Sequence, residues 1–510
     1  MAPELTKNSI NQSVSAFSSN AKQTIDTHIN LPDYCSDIKK ILRCSVVPGV
    51  SSTSLKGEKL TATGGVVIRL IYINDEDIMD SCETHVDLDT GCEMSSVPEN
   101  AVVFAKAKTD YVNCRAMSQR RVYVNGSVTV SFTVLSEKKQ EFLCPCDDGS
   151  IEVRKTAFKG RNLICQGEKS FDLSETVSLE SDKPDVEKIL CTDAYCTVES
   201  QKTVTGKMLI KGELICNVVY CADKDNMKVQ KIRHTMPISQ IVDLSGLTDK
   251  SNCTLKLSVG RLLVNVKADS SGKNRLLEIA AKVTAFVKCT EVKEFQGVVD
   301  CYSTEYDVKL QNETIGFSLP CSEIRENKTI RKSYEMPNGI KEILCISAED
   351  TSTKLTFSED KAKISLSTLL CIVYVGEKGV PSYAEKSFEA EFEQMLTTNR
   401  AVYSGEIDGF VKELSWNVTG KDSFDVTADI VLEGEICIDM HEKLCKEAIV
   451  DEASPKKKDD SAIVIYYPQN GENLWDIAKK YNTTVKLLKE ENEGLKSEVA
   501  EGKMLIIPAI

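Results

Sequence analysis

Ile38-Lys39-Lys40-Ile41-Leu42 decides the fold, because the chain spells this pattern three times. Val186-Glu187-Lys188-Ile189-Leu190 and Ile340-Lys341-Glu342-Ile343-Leu344 repeat it, and each copy follows a proline: Pro32, Pro184 and Pro337. A second landmark is a tyrosine in an apolar run: Ile71-Tyr72, Val219-Tyr220 and Val373-Tyr374. From the Ile of Ile-Leu to that tyrosine the distance is 31 residues in all three copies. A further alternating run follows in each, at 122–134, 279–287 and 426–432. The period of about 150 residues is one domain long, too long for a solenoid unit.

Alternation of apolar and polar residues at 66–73, 122–134, 255–266 and 424–432 reads as strand, with Gly, Asn and Asp turns between. Amphipathic helices are scarce up to residue 450. The expectation is three tandem mainly-β domains, sandwich-like or barrel-like, at 25–165, 166–310 and 311–450. The Ile-Leu and Tyr landmarks read as core packing rather than as a site. Residues 1–24, polar and rich in Ser and Asn, read as a disordered tail.

The bulk numbers narrow the function. The chain has 510 residues and a formal net charge of −14, from 77 acidic and 63 basic residues. Nucleic acid and anionic membranes want a basic face, so neither is the expected main partner. No run of 18 apolar residues suggests a membrane span, and the first twenty residues lack the apolar core of a secretory signal. Twenty cysteines in a long chain of this kind read as reduced and mostly buried, as at Cys216, Cys221 and Cys371. The one tight pair, Cys144-Pro145-Cys146, is a weak metal or redox signal. The four histidines, His28, His85, His234 and His441, have no metal-ligand spacing. Nucleophile elbows, phosphate loops and dinucleotide fingerprints are missing. The expectation is no catalytic residue, no metal site, no cofactor and no enzyme activity.

Residues 451–460 are charged and contain a proline, and read as a linker. Ile463-Val464-Ile465-Tyr466-Tyr467 then reads as a strand, and Gly471-Glu472-Asn473 as a turn. Asn473 suits a helix N-cap, with Asp476 three residues on. Leu474, Ile477, Ala478 and Tyr481 follow at helical spacing. Thr483 or Thr484 caps a second helix with Val485, Leu487 and Leu488. Gly502 to Pro508 closes with a strand. Residues 461–510 thus read as a small βααβ module. Trp475 falls about 100° around the first helix from Leu474, at the edge of the buried face.

This stretch resembles a LysM module in its Tyr466 strand, Gly471 turn, Leu474-Trp475-x-Ile477-Ala478, Tyr481, Asn492 and Gly502-x-x-Leu505-x-Ile507-Pro508. It departs at Glu472-Asn473, where the family has Asp-Thr, and at Pro468, where it has Val. Both changes alter one wall of the groove in which such modules hold N-acetylglucosamine chains. The repeats resemble the SPOCS domain, found in tandem in spore coat proteins. Together the parts resemble the SipL type of spore coat morphogenetic proteins. That resemblance implies a non-catalytic assembly protein in the mother-cell cytoplasm, at the forespore surface. It implies binding to the ATPase of the coat basement layer, with the LysM taking a protein rather than a glycan. In LysM modules the first-strand tyrosine points inward, which places Val464 and Tyr466 inside and Ile463, Ile465 and Tyr467 outside. Ile463, Ile465, Tyr467 and Trp475 are then the expected partner-binding patch, with Gly471, Glu472 and Asn473 as the groove loop. The alternatives are a peptidoglycan-binding wall protein, which needs export, and an enzyme with an unrecognised site.

Overall fold

The computed structural model describes residues 6–145, 151–223, 228–248, 251–337, 339–396, 401–456, 463–469, 472–492, 495 and 504–508. The chain is mainly β, with three equivalent six-stranded units and a small C-terminal module. The first unit holds β1 (Lys7–Asn30), β2 (Lys40–Lys56), β3 (Lys59–Ile73), β4 (Met79–Glu93), β5 (Val102–Ser118) and β6 (Arg121–Leu143). The second holds β7 (Ile151–Ser178), β8 (Lys188–Val204), β9 (Lys207–Asp223), β10 (Lys228–Asp243), β11 (Asn252–Ala268) and β12 (Asn274–Ser303). The third holds β13 (Tyr306–Glu335), β14 (Glu342–Phe357), β15 (Lys361–Val375), β16 (Pro381–Met395), β17 (Val402–Val418) and β18 (Ser423–Pro455).

The topology is the same three times. Strands two, three and four of each unit form one antiparallel sheet, and strands one, six and five form the other, with the sixth central. The sequence explains why the sixth strand is central. In β6, Val122, Val124, Val128, Val130, Phe132 and Val134 are all 1% exposed or less. Branched and aromatic residues at a period of two fill the space between the sheets. Each unit has its own core between its two sheets.

Three expectations from the sequence are corrected here. Residues 7–24 are not a tail: they make most of β1, which runs antiparallel to β6 from Lys7 opposite Leu143 to Asn30 opposite Arg121. The strand is polar because its outer face meets water, while Ile10, Ile25 and Ile29 are buried. Its ladder partner is a strand about a hundred residues away, which local composition does not reveal. The unit boundaries 25–165, 166–310 and 311–450 accordingly shift to 7–143, 151–303 and 306–455, because each unit opens with the strand that pairs with its last. The linker at 451–460 begins later than expected, since Asp451 to Pro455 continue β18 and Tyr306 pairs with Pro455.

The three units share buried clusters: besides a group of Leu143, Ile151, Val298, Cys301 and Cys445, there are two more. One gathers Ile10 and Phe142 of the first, Phe158 and Phe295 of the second, and Ile315, Phe317 and Leu444 of the third. The other gathers Ile71 and Met79, then Leu190, Val219 and Cys221, then Leu344, Cys345, Val373 and Val375, with Leu42 packed against it. The Ile-Leu landmark builds this second cluster. The ladder of paired residues skips Leu42, Leu190 and Leu344 by a bulge in each unit. A bulge re-aims a side chain. The preceding Ile41, Ile189 and Ile343 pack into their own unit's core, and the leucine goes to the junction. Burying a leucine there is worth about 2 kcal/mol.

Polar groups tie the units as well. Arg161 of β7 forms a two-armed ion pair with Glu435 of β18, at 2.6 and 2.8 Å. Arg43 of β2 pairs with Glu349 of β14. At Gly49 and Gly260 the backbones of β2 and β11 meet so closely that a Cβ at Gly260 would lie 2.1 Å from the Val50 carbonyl oxygen.

The cysteine reading needs one change: Cys253 and Cys289, facing each other on β11 and β12, form a disulfide. Cys216 and Cys371 are buried in strands as expected. Cys146 lies outside the described residues, so the Cys144–Cys146 pair is not assessed. Among the described residues no helix is long and apolar enough to cross a membrane.

Candidate functional site

The C-terminal module consists of β19 (Ile463–Tyr466), α1 (Leu474–Lys480), α2 (Val485–Glu491) and β20 (Leu505–Pro508). β19 and β20 pair antiparallel from Ile463 opposite Pro508 to Tyr466 opposite Leu505. Both helices start where the sequence puts caps. Asn473 Oδ1 accepts from the Asp476 backbone N–H at 2.9 Å, and its Nδ2 donates to the Asp476 carboxylate at 2.7 Å. Thr484, the second of the two threonines considered, accepts from Leu487 N–H at 3.1 Å. Asn492 donates to the carbonyls of Leu488 and Ile506 and accepts from Ile506 N–H, locking α2 to β20. Helices of two turns are marginal alone, so these bonds and the core set their ends.

The strand alternation falls as expected. Val464 and Tyr466 pack against the module core, while Ile465 is 58% and Tyr467 65% exposed. The side chain of Ile463 and all of Gly471 lie outside the described residues.

In the groove loop, Glu472 and Asn473 are engaged internally. The Tyr466 hydroxyl donates to the Glu472 carboxylate at 2.6 Å, and Gln469 N–H donates to it at 2.9 Å. The Tyr466 hydrogen bond holds the Glu472 carboxyl below its ordinary range and raises the phenol in turn. Lys480 lies over the Tyr466 ring, 4.8 Å from its centroid. Asn473 is taken up by capping α1.

Trp475 does not belong to the outward patch. Its indole N–H donates to Asp300 at 2.7 Å, and its ring meets Tyr302 edge-on with centroids 5.0 Å apart. Lys479, one turn on, reaches both oxygens of Asp300 at 2.7 and 2.9 Å. Tyr302, 2% exposed, sits within the module's core beside Leu474, Ile477, Leu488 and Leu505, and its hydroxyl donates to the Thr483 carbonyl at 2.7 Å. Burial raises this phenol above its ordinary value. The module is therefore seated on the end of β12, in the second unit. A tryptophan at the edge of a helix's apolar face suits any contact, and here the contact is within the chain. Asp300 follows a bulge in β12, between Val298 and Asp300. Sequence reasoning missed Asp300 and Tyr302 because nothing local marks them.

The arrangement leaves Ile465 and Tyr467 on one strand face open, with Met504 also exposed beside β20, on a body held at Asp300 and Tyr302. Against known families, residues 185–267 match the model described as SipL, SPOCS domain, and residues 469–508 match the LysM domain. The first match covers β8 to β11 of the second unit. The two matches together are the SPOCS-and-LysM architecture expected from the sequence. No curated protein and no solved structure matches the chain. The chain is a sporulation-related protein carrying a LysM domain.

Proposed function

We propose that this chain is a non-catalytic spore coat morphogenetic protein, working in the mother-cell cytoplasm at the forespore surface. It tethers the coat there by binding the basement-layer ATPase through its LysM domain. The observation that carries this reading is the exposure of Ile465 and Tyr467 on a module whose other side is already held by Asp300 and Tyr302. Two neighbouring large apolar groups on a small module are more than solvent favours, and such groups anchor protein interfaces. A protein ligand is favoured over a glycan because Glu472 and Asn473 direct their polar atoms into their own loop. The three units, joined by shared cores, act as the scaffold that presents the module.

The test is co-purification of the full chain with the ATPase. Ile465→Arg and Tyr467→Glu should each weaken capture about tenfold or more, in the range of interface anchors. Circular dichroism should be unchanged, since both side chains point to water. Intact capture with both charges installed rules this face out as the interface. Retention on muropeptides, with no ATPase captured, replaces the reading with peptidoglycan binding.

A further inference from the structure

We infer that Cys35 and Cys82 form a redox-active dithiol, a modification site between the first two units that closes to a disulfide with a peroxide as electron acceptor. Cys35 lies in the connection from β1 to β2 and Cys82 on β4, and they are 3% and 6% exposed. Both belong to one buried cluster, and the Cys35 Sγ lies 3.9 Å from the carbonyl oxygen of Ser81, the residue before Cys82. Lys188, at the start of β8 in the second unit, places its ammonium 3.5 Å from the Cys35 sulfur. The same ammonium lies 3.4 Å from Asp80 Oδ1 and 4.6 Å from the centre of the Tyr34 ring. Its side chain is only 14% exposed, so solvent screens the charge weakly.

The groups around Cys35 come from every side of the site. β4 supplies Asp80 and Cys82, β3 supplies Tyr72, β8 supplies Lys188, and Tyr34 is the adjoining residue. Asp80 is largely committed elsewhere, accepting from Ser36 N–H at 3.0 Å, Ser36 Oγ at 2.7 Å and Ser81 N–H at 2.8 Å. Arg120 adds a hydrogen bond to the Cys35 carbonyl at 3.1 Å, fixing the loop. The site is therefore asymmetric. The hydrogen bond from Cys82 lowers the Cys35 thiol to about 6, with Lys188 helping against burial and Asp80. Cys82 is pushed up as its counterpart. Lys188 beside Cys35 favours that sulfur as the attacking thiolate and leaves Cys82 as the thiol that resolves it.

The step balances as follows. The Cys35 thiolate attacks one oxygen of hydrogen peroxide, the O–O bond breaks, and hydroxide leaves, taking a proton to become water. Cys35 is then a sulfenic acid. The Cys82 sulfur attacks the Cys35 sulfur, the S–O bond breaks, and hydroxide leaves with the Cys82 proton as a second water. Two electrons pass from the sulfur pair to the peroxide. Peroxide suits the site because both sulfurs are buried and a small oxidant is needed to reach them, past the neighbouring Tyr34, 74% exposed. Oxidation removes the charge that Lys188 reaches across the unit boundary to meet.

Three further thiol pairs serve as internal comparison: Cys44 with Cys114, Cys191 with Cys345, and Cys301 with Cys445. The experiment treats the full, reduced chain with hydrogen peroxide at neutral pH. Remaining thiols are alkylated after denaturation and the disulfides mapped by mass spectrometry. The Cys35–Cys82 disulfide should form before any joining the other three pairs. Cys35→Ser and Cys82→Ser should each abolish it, and Lys188→Gln should slow it several-fold and move its rate profile to higher pH. Full alkylation of Cys35 and Cys82 after exposure, or oxidation of another pair first, overturns the assignment. An unchanged pH profile in Lys188→Gln overturns the role given to the ammonium.

Discussion

Ile343 on β14 faces Tyr374 on β15 as a cross-strand pair, and Ile41 with Tyr72 and Ile189 with Tyr220 repeat the relationship. The constant spacing of 31 residues is thus a hairpin register written into the chain. In the first two units the tyrosine hydroxyl reaches back to the loop before the hairpin: Tyr72 to the Ser36 carbonyl and Tyr220 to that of Pro184, both at 3.0 Å. A slip of one residue would turn every side chain to the wrong face. The leucine beside each isoleucine is free of that register and serves the neighbours.

The two halves of the landmark should therefore fail differently. Leu344→Ala and Leu190→Ala should each cost about 2–4 kcal/mol, as buried leucines do. The loss should fall on the contact between units, read as new protease cleavage between units while each unit keeps its strand signal. Ile343→Ala should instead destabilise the third unit itself. An unchanged urea midpoint for Leu344→Ala contradicts the shared junction.

The seat of the LysM domain makes a second expectation. Tyr302→Phe leaves the buried Thr483 carbonyl without its donor, at a cost of about 1–3 kcal/mol. Faster hydrogen exchange in α1 and α2, with the six-stranded units unaffected, is the expected result. The isolated piece 461–510 lacks Tyr302 altogether and should melt below the same module in the full chain.

Acid should loosen the contact between the second and third units. Burial opposes the charge on Glu435, but the hydrogen bonds and charge of Arg161 overcome it and hold the carboxyl below its ordinary value. A carboxyl lowered on folding contributes stability above its unfolded value that is lost as pH falls through the folded one. Glu435→Gln leaves Arg161, whose side chain is 9% exposed, without its counter-charge and should cost about 3 kcal/mol at neutral pH. Urea unfolding at neutral and acid pH should show the wild type losing more than the variant. Equal losses would exclude this pair as the source.

Gly260→Ala should push β11 away from β2, because its Cβ would meet the Val50 carbonyl oxygen. Overpacking of that kind costs about 1–3 kcal/mol. Gly49→Ala, whose Cβ would meet the Gly260 carbonyl oxygen at 2.2 Å, should behave alike. Thermal melting decides, and a wild-type midpoint in both variants would mean the backbones are not in contact.

The sequence by itself determined what is written in local period and local chemistry. The three β units follow from a repeated register, and the module from helix caps at Asn473 and at Thr483 or Thr484, the structure choosing Thr484. Once the LysM resemblance places Tyr466 inward, Val464 joins it and Ile465 and Tyr467 face outward, because successive side chains on a strand point to opposite faces. Tertiary structure decided everything that depends on a distant partner. Residues 7–24 became strand because β6 offers a ladder to complete. Leu42, Leu190 and Leu344 left their own sandwiches because three bulges aim them at one junction. Trp475 turned from a candidate anchor for a partner into the seat of its own module because Asp300, 175 residues away in the chain, stands beneath it. Apolar burial is non-directional, so a sequence marks which side chains seek cover. Which surface covers them is settled only when all the units are packed together.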